Sequence, residues 1–101
     1  MHGMERDTII ADLSRHADAV KARGAASMWL FGSLARGDAR PDSDVDLFLD
    51  YDPQGRFSLL DLVGIKLYLE EVLRRPVDVT TRDSLHPKLR GDIEWDAVRV
   101  F

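Results

Sequence analysis

A stretch of alternating side chains, Asp44–Asp50, constrains the fold of this 101-residue sequence more than any other feature. Its apolar members are Val45, Leu47 and Leu49, and the residues around them are Asp44, Asp46, Phe48 and Asp50. Successive side chains of a β-strand point to opposite faces, so this stretch predicts a strand with one apolar face and one face rich in carboxylates. We therefore expect a sheet with helices packed against its apolar side.

Two more strands and four helical segments are predicted around this strand. Ser27–Phe31 is an apolar run that is too short for a helix, and Val77–Thr81 is β-branched and alternating. The spacing of apolar residues and the turn signals predict helices over about Arg6–Ala22, Ser33–Arg36, Ser58–Leu73 and Leu89–Val98. This order predicts one α/β (α+β) domain over residues 1–101, with a mixed β-sheet of three or four strands flanked by helices.

Several residues are typical of helix ends. Asp7 or Thr8 suits the start of the first helix and Gly24 its end, whereas Ser58 with Asp61 suits the start of the long third helix. Trp29 lies in a predicted strand and is expected in the core. Ile93, Trp95 and Ala97 of the last helix are expected to be partly buried, although an exposed Trp95 would suit a partner interface.

Composition excludes several classes of protein. The chain has no cysteine, which rules out disulfides, thiolate zinc sites and a cysteine nucleophile. Its 14 Lys and Arg residues against 18 Asp and Glu residues give a net charge of −4, a poor match for a protein that coats nucleic acid. No apolar run approaches the roughly 18 residues of a membrane span, and the N-terminus lacks an apolar signal core. We therefore expect an unprocessed cytoplasmic protein with no membrane contact and no direct nucleic-acid binding.

The residues that carry chemistry are Gly32-Ser33 and, after ten further residues, Asp44-Val45-Asp46. Glycine at a strand end lets the backbone approach a ligand closely, and Ser33 follows where free N–H groups and a hydroxyl can hold phosphate oxygens. Asp44 and Asp46 leave the same face of a strand, about 6.6 Å apart along the chain. Two carboxylates at this separation can share divalent metal ions.

A third carboxylate, Asp78, occurs in Val-Asp-Val on the last predicted strand. If this strand neighbours that of Asp46, three carboxylates gather on one face, and Mg²⁺ would relieve their repulsion. The set suits phosphoryl or nucleotidyl transfer. Each candidate residue also has a purely structural interpretation. The aspartates would form a solvated acidic strand edge and Ser33 would cap a helix. Arg36, which can contact phosphates, would be a solvated side chain, and Ser43 would fix the loop by a hydrogen bond.

The segment GSLARGDARPDSDVDLFLDYD, followed by RRPVDVTT, resembles the minimal nucleotidyltransferases of the DNA polymerase β superfamily. The family pattern of Gly-Ser, ten residues, Asp-x-Asp and a later carboxylate is present, although Arg74-Arg75 stands where relatives often have a glycine. The resemblance implies ATP as substrate and two Mg²⁺ ions. It also implies that the metals are bound by Asp44, Asp46 and Asp78, with Asp78 helping to activate the acceptor hydroxyl, and that the nucleotide is bound by Gly32, Ser33, Arg36 and Ser43.

The extension Ala35-Arg36-Gly37 is similar to that of the antitoxins in HEPN–MNT toxin–antitoxin pairs. That resemblance implies transfer of AMP from ATP to a tyrosine of a HEPN-domain ribonuclease toxin, with the two proteins forming a hetero-oligomer. The short chain leaves little room for an acceptor-binding domain, which favours a separate protein acceptor. Two alternatives remain open: an antitoxin that neutralises by binding alone, and a nucleotidyltransferase subunit acting on a small molecule or an RNA end.

Overall fold

The computed structural model describes residues 2–40 and 43–101. No helix in this part of the chain is both long and apolar enough to cross a membrane. In chain order the elements are α1 (His2–Arg15), α2 (Ala17–Ala22), β1 (Ala25–Phe31), α3 (Gly32–Arg36), β2 (Val45–Tyr51), α4 (Leu59–Leu73), β3 (Val77–Thr81), a 3₁₀ turn (Arg82–Ser84), α5 (Pro87–Asp96) and β4 (Val98–Arg99).

The strands form one mixed sheet in the order β3-β2-β1-β4. β1 runs antiparallel to both β2 and β4, whereas β2 and β3 run parallel. A parallel pair needs a crossover connection, and α4 provides it between β2 and β3. The predicted α+β class is therefore confirmed, and the mixed sheet has four strands.

One face of the sheet carries the hydrophobic core. Val45, Leu47 and Leu49 of β2 are completely buried there, as the alternation predicts, together with residues of α1, α2 and α4. Most of this core is formed by Leu13, Val20, Met28, Leu30, Val45, Leu47, Leu49, Ile65 and Leu69. Because β2 alternates, burying these residues turns its carboxylates to the other face.

The other face is covered in part by aromatic side chains. Phe48 is completely buried and stacks on Trp29 at 5.9 Å between ring centroids, and the Arg82 guanidinium lies 4.8 Å from the centre of the Phe48 ring. Trp29 is only half-buried, on this face, so its expected place in the main core was wrong. Arg82 binds Asp50 through two nitrogens, at 2.8 and 2.9 Å, and Glu94 of α5 at 2.6 Å. These contacts attach α5 to the carboxylate face.

The long helix α4 begins as predicted. The Ser58 hydroxyl accepts a hydrogen bond from the Asp61 amide, and the Asp61 carboxylate accepts one from the Ser58 amide, which makes a capping box. The apolar residues of α4 are not confined to one side of the helix. Ile65 and Leu69 are completely buried, but Leu60 keeps 82% of its surface exposed.

The N-terminal helix differs from the prediction. It begins at His2, not near Asp7 or Thr8, and it is interrupted at His16. The His16 amide bonds to the carbonyl of Leu13, three residues back, and its ring nitrogen Nδ1 lies 2.8 Å from the Tyr68 hydroxyl of α4. Both contacts are made at the residue where the helix is interrupted. Gly24 follows the helix end with φ +112°, as predicted.

The C-terminal region also differs from the prediction. α5 begins at Pro87, where a missing N–H costs nothing, and it ends at Asp96, so that Val98 joins β4 opposite Leu30. Ile93 and Ala97 are half-buried as expected. The partial burial expected of Trp95 was wrong, because this side chain is 89% exposed. Leu89 and Ile93, one helical turn apart, line a pocket beside Gly32, although Leu89 is 54% exposed, and Trp95 lies on another side of α5.

Candidate active site

Gly32 forms the junction between β1 and α3 and leaves room for a carboxylate. Its φ is +75°, a conformation that L-amino acids with side chains rarely adopt. A Cβ atom placed on Gly32 would overlap the Asp46 carboxylate oxygen Oδ2 and lie 3.2 Å from its Cγ. The Asp46 carboxylate therefore lies directly against the backbone of this turn, which is the close approach that the sequence predicts for Gly32.

The sheet register brings Asp46 and Asp78 together. β2 and β3 pair in parallel with Asp46 directly opposite Asp78, and on the other side of β2, Asp46 pairs with Phe31 of β1. Neighbouring strands lie about 4.8 Å apart, and paired residues point to the same face. The condition stated for Asp78, that its strand neighbours that of Asp46, is thus met.

The negative charge of this cluster affects the pKa of Asp46. Burial raises the pKa of the Asp46 carboxyl above its ordinary value, and the negative charges of Asp78 and then Asp44 raise it further. Arg36 acts in the opposite direction. Asp44, one residue before β2, thus acts electrostatically on the same site. An unbalanced group of three carboxylates is the environment that a bound cation would stabilise.

The three carboxylates match Mg²⁺ in donor type, because this ion takes oxygen ligands and tolerates carboxylates together with phosphates. Their convergence is looser than a closed metal cage. Within residues 2–40 and 43–101, no three side chains of His, Cys, Asp or Glu lie close enough together to bind one metal ion as they stand. Asp44 and Asp78 are exposed, and Asp46 is half-buried.

α3 carries the next two predicted residues. Ser33 is half-buried in its first turn, and its carbonyl accepts a hydrogen bond of 3.0 Å from the Asp38 amide. Gly37 ends the helix with φ +81°. Arg36 is exposed and forms an ion pair with Asp38 at 3.4 Å. Arg36 therefore has a surface ion pair as well as an electrostatic effect on Asp46.

Ser43, which precedes Asp44, is hydrogen-bonded to Arg40. Its hydroxyl accepts a hydrogen bond of 2.8 Å from the Arg40 amide, and its own amide donates to the Arg40 carbonyl at 2.9 Å. The loop-fixing alternative considered for Ser43 is therefore present. Its role in binding a nucleotide remains a prediction.

Two features of this site were not predicted from the sequence. A pocket of about 280 Å³ lies between the turn at Gly32 and α5, lined by Phe31, Arg36, Leu89 and Ile93 among others. The spacing of Leu89 and Ile93 by one helical turn was the available signal for that wall. The second feature is Arg75, which donates a hydrogen bond of 2.6 Å to the Ser43 carbonyl, and no local pattern indicates such a long-range contact.

Known proteins resemble this chain in sequence and in fold. The sequence profile of the nucleotidyltransferase domain family matches residues 13–100. Protein adenylyltransferase MntA of Thermococcus cleftensis is 36% identical over 89 residues, which cover 87% of this chain and 88% of that relative.

Two solved structures share the fold. One, described as a minimal nucleotidyltransferase, superposes with a TM-score of 0.79 at 34% identity and covers 93% of this chain and 94% of its own. The other is a toxin–antitoxin structure with AMP-PNP, with a TM-score of 0.69 at 15% identity, covering 87% of this chain and 72% of its own. At 15% identity the second likeness concerns the fold alone.

Proposed function

This chain belongs to the nucleotidyltransferase domain family, and from that premise we propose that it transfers AMP from ATP to a hydroxyl group of a partner toxin, as the antitoxin of the pair. The acceptor proposed is a tyrosine of a HEPN-domain ribonuclease. The observation that carries the proposal is the pairing of Asp46 with Asp78 beside the turn at Gly32. This pairing brings carboxylates together with the half-buried backbone turn at Gly32, an arrangement that suits transfer from a nucleoside triphosphate.

Asp44, Asp46 and Asp78 would hold two Mg²⁺ ions. Bound Mg²⁺ supplies charge neutralisation of the triphosphate and a lower pKa for the acceptor hydroxyl. Asp78 is exposed at the edge of the cluster, where an acceptor can reach it, and it is the proposed recipient of the hydroxyl proton. The acceptor oxygen forms a bond to the α-phosphorus of ATP as the bond to pyrophosphate breaks, so that pyrophosphate leaves.

The nucleotide is proposed to lie along the turn from β1 into α3. Gly32 exposes backbone there, the Ser33 hydroxyl donates to phosphate oxygens, and the Arg36 guanidinium balances phosphate charge. Ser43 is proposed to contribute from the loop before Asp44. The role of these residues is positioning, because transfer of this kind depends mainly on alignment and on balancing charge.

A protein acceptor is favoured by two observations. The relative MntA is named as a protein adenylyltransferase, and the toxin–antitoxin structure with AMP-PNP has the same fold. The net charge of −4 argues against an RNA acceptor, since phosphate backbones bind basic surfaces.

The test is transfer of label from α-³²P-ATP to a HEPN-domain partner in the presence of Mg²⁺. We expect label on the partner with the wild-type chain and none with Asp46→Asn. Asp52→Asn is the matched control, because it makes the same change in charge in an exposed loop, and it should transfer label normally. An unlabelled partner, or equal labelling by Asp46→Asn, contradicts the proposal.

Variants of the same kind, together with a screen of acceptors, distinguish the proposed function from its two alternatives. An antitoxin that acts by occlusion alone would still neutralise the toxin after Asp44→Asn and Asp46→Asn are combined, whereas an adenylyltransferase would not. A nucleotidyltransferase for small molecules or RNA ends would label such acceptors in a screen with ATP, GTP, CTP and UTP, and leave the protein partner unlabelled.

A further inference from the structure

Both peptide groups that flank Asp44 are held by residues at the entrance to β3. The Ser43 carbonyl, in the peptide before Asp44, accepts a hydrogen bond of 2.6 Å from Arg75 Nη2. The Val45 amide, in the peptide after Asp44, donates to the Pro76 carbonyl at 3.0 Å. Since peptide groups are planar, holding both of them restricts the two backbone angles of Asp44 and therefore the direction in which its Cα–Cβ bond points.

The segment that holds Asp44 also carries Asp78. Asp78 lies two residues after Pro76 in β3, and the Val77 amide between them donates to the Glu70 carboxylate of α4 at 3.1 Å. The position of Asp44 relative to Asp78 is thus set by direct contacts between the two segments. It does not depend only on the path of the loop before β2.

The Val45–Pro76 bond joins two backbone groups and survives most substitutions, but the Ser43 contact depends on one side chain. Arg75 keeps 19% of its side-chain surface exposed and uses its other nitrogen, Nη1, to bind Glu5 of α1 at 3.1 Å. We infer that Arg75 is a positioning residue that aims Asp44 at the site shared with Asp46 and Asp78. The inference rests on the proposed function, because that function gives the aimed carboxylate its role.

An electrostatic role and a positioning role of Arg75 predict opposite effects on metal affinity when its side chain is removed. Removing a positive charge near a cation site strengthens cation binding if electrostatics alone operates. Removing a group that orients a ligand weakens metal binding, typically by 10–100-fold. The sign of the change in metal affinity therefore distinguishes the two roles.

The experiment compares Arg75→Ala with two other variants. Arg75→Lys keeps the positive charge and a hydrogen-bond donor at this position. Glu5→Ala removes only the tie to α1, and it is the matched control for a merely structural role. The first readout, on metal-free protein, is the NMR order parameter of the Asp44 amide. The second is Mn²⁺ affinity, measured from the electron paramagnetic resonance signal of free Mn²⁺ with a non-hydrolysable ATP analogue present.

We expect the Asp44 order parameter to fall from about 0.85 toward 0.6 in Arg75→Ala and to stay near its wild-type value in the other two variants. The Mn²⁺ dissociation constant should rise about tenfold in Arg75→Ala only. An unchanged Asp44 order parameter, or tighter Mn²⁺ binding in Arg75→Ala, overturns the inference. Failure of the wild-type chain to bind Mn²⁺ instead contradicts the proposed function, and the metal-free readout still decides the role of Arg75.

Discussion

Replacing Gly32 by alanine tests the geometry of the site with a single methyl group. At φ +75° an L-residue costs about 1–2 kcal/mol more than glycine. The added Cβ would also overlap Asp46 Oδ2 and lie 3.3 Å from the Asp46 Cβ, so the carboxylate has to turn away. Both effects arise from the same atom, so stability and activity should fall together.

The expected size of each effect follows from these contacts. For a domain of about 100 residues, each kcal/mol of stability corresponds to about 4–8 °C in Tm, so Gly32→Ala should lower Tm by roughly 4–16 °C. A displacement of a reacting group by about 1 Å costs on the order of 100-fold in rate, and we expect AMP transfer to fall by that order at a temperature where the variant is folded.

The assays are thermal unfolding and transfer of label from ATP, with Gly91→Ala as the control. A Cβ at Gly91 meets no atom within 4 Å, and alanine in a helix is more favourable than glycine by up to about 1 kcal/mol. Gly91→Ala should therefore keep or raise Tm and leave transfer unchanged. A Gly32→Ala protein with the wild-type Tm and transfer rate would refute the reasoning.

Two aspartates on one face of β2 should respond to pH in opposite ways. The pKa of Asp46 is higher in the folded chain than its value near 3.9 in the unfolded chain, so the folded chain loses stability as pH rises from 3.9 through the folded pKa. Asp46→Asn should therefore raise Tm at pH 7 and have little effect at pH 3. Hydrogen bonds from Arg82 lower the pKa of Asp50, so Asp50→Asn should lower Tm at pH 7, and this loss should become smaller as pH falls below 3.9. A lower Tm at pH 7 for Asp46→Asn or a higher one for Asp50→Asn would contradict these expectations. In the core, urea unfolding should show a loss of about 2–5 kcal/mol for Leu69→Ala, which is completely buried, against about 0.5 kcal/mol or less for Leu60→Ala, and equal losses would contradict the assigned burial.

The parts of the fold that depend on local pattern were predictable from the sequence. The alternation around Val45 gave β2, the β-branched run gave Val77–Thr81 with the bounds observed, and Ser58 with Asp61 gave the start of α4. The break at His16 was not predicted from local pattern, and it coincides with a contact to Tyr68, 52 residues away. The burial of Trp95 was misjudged because a helical pattern does not state which side of a helix meets the sheet.

The candidate site divides in the same way. The spacing in the sequence predicted that Asp44 and Asp46 belong together. In the structure β3 lies next to β2, which brings Asp78 opposite Asp46. The contacts of Arg75 depend on tertiary structure, and so does the wall that α5 adds beside Gly32. At Arg74-Arg75, where members of the resembling family often have a glycine, both arginines have a distinct place in the structure. Arg74 takes the left-handed conformation with φ +55°, and Arg75 contacts the loop before Asp44.

The central claim is that Asp44, Asp46 and Asp78 form one site for metal and nucleotide beside Gly32. Its most direct test is the stability of the wild-type chain and of Asp46→Asn in Mg·ATP at about 100 times the wild-type dissociation constant. We predict a gain of about 2.7 kcal/mol for the wild-type chain and almost none for Asp46→Asn. An equal gain in both proteins, or no gain in the wild-type chain at saturating Mg·ATP, would contradict the account.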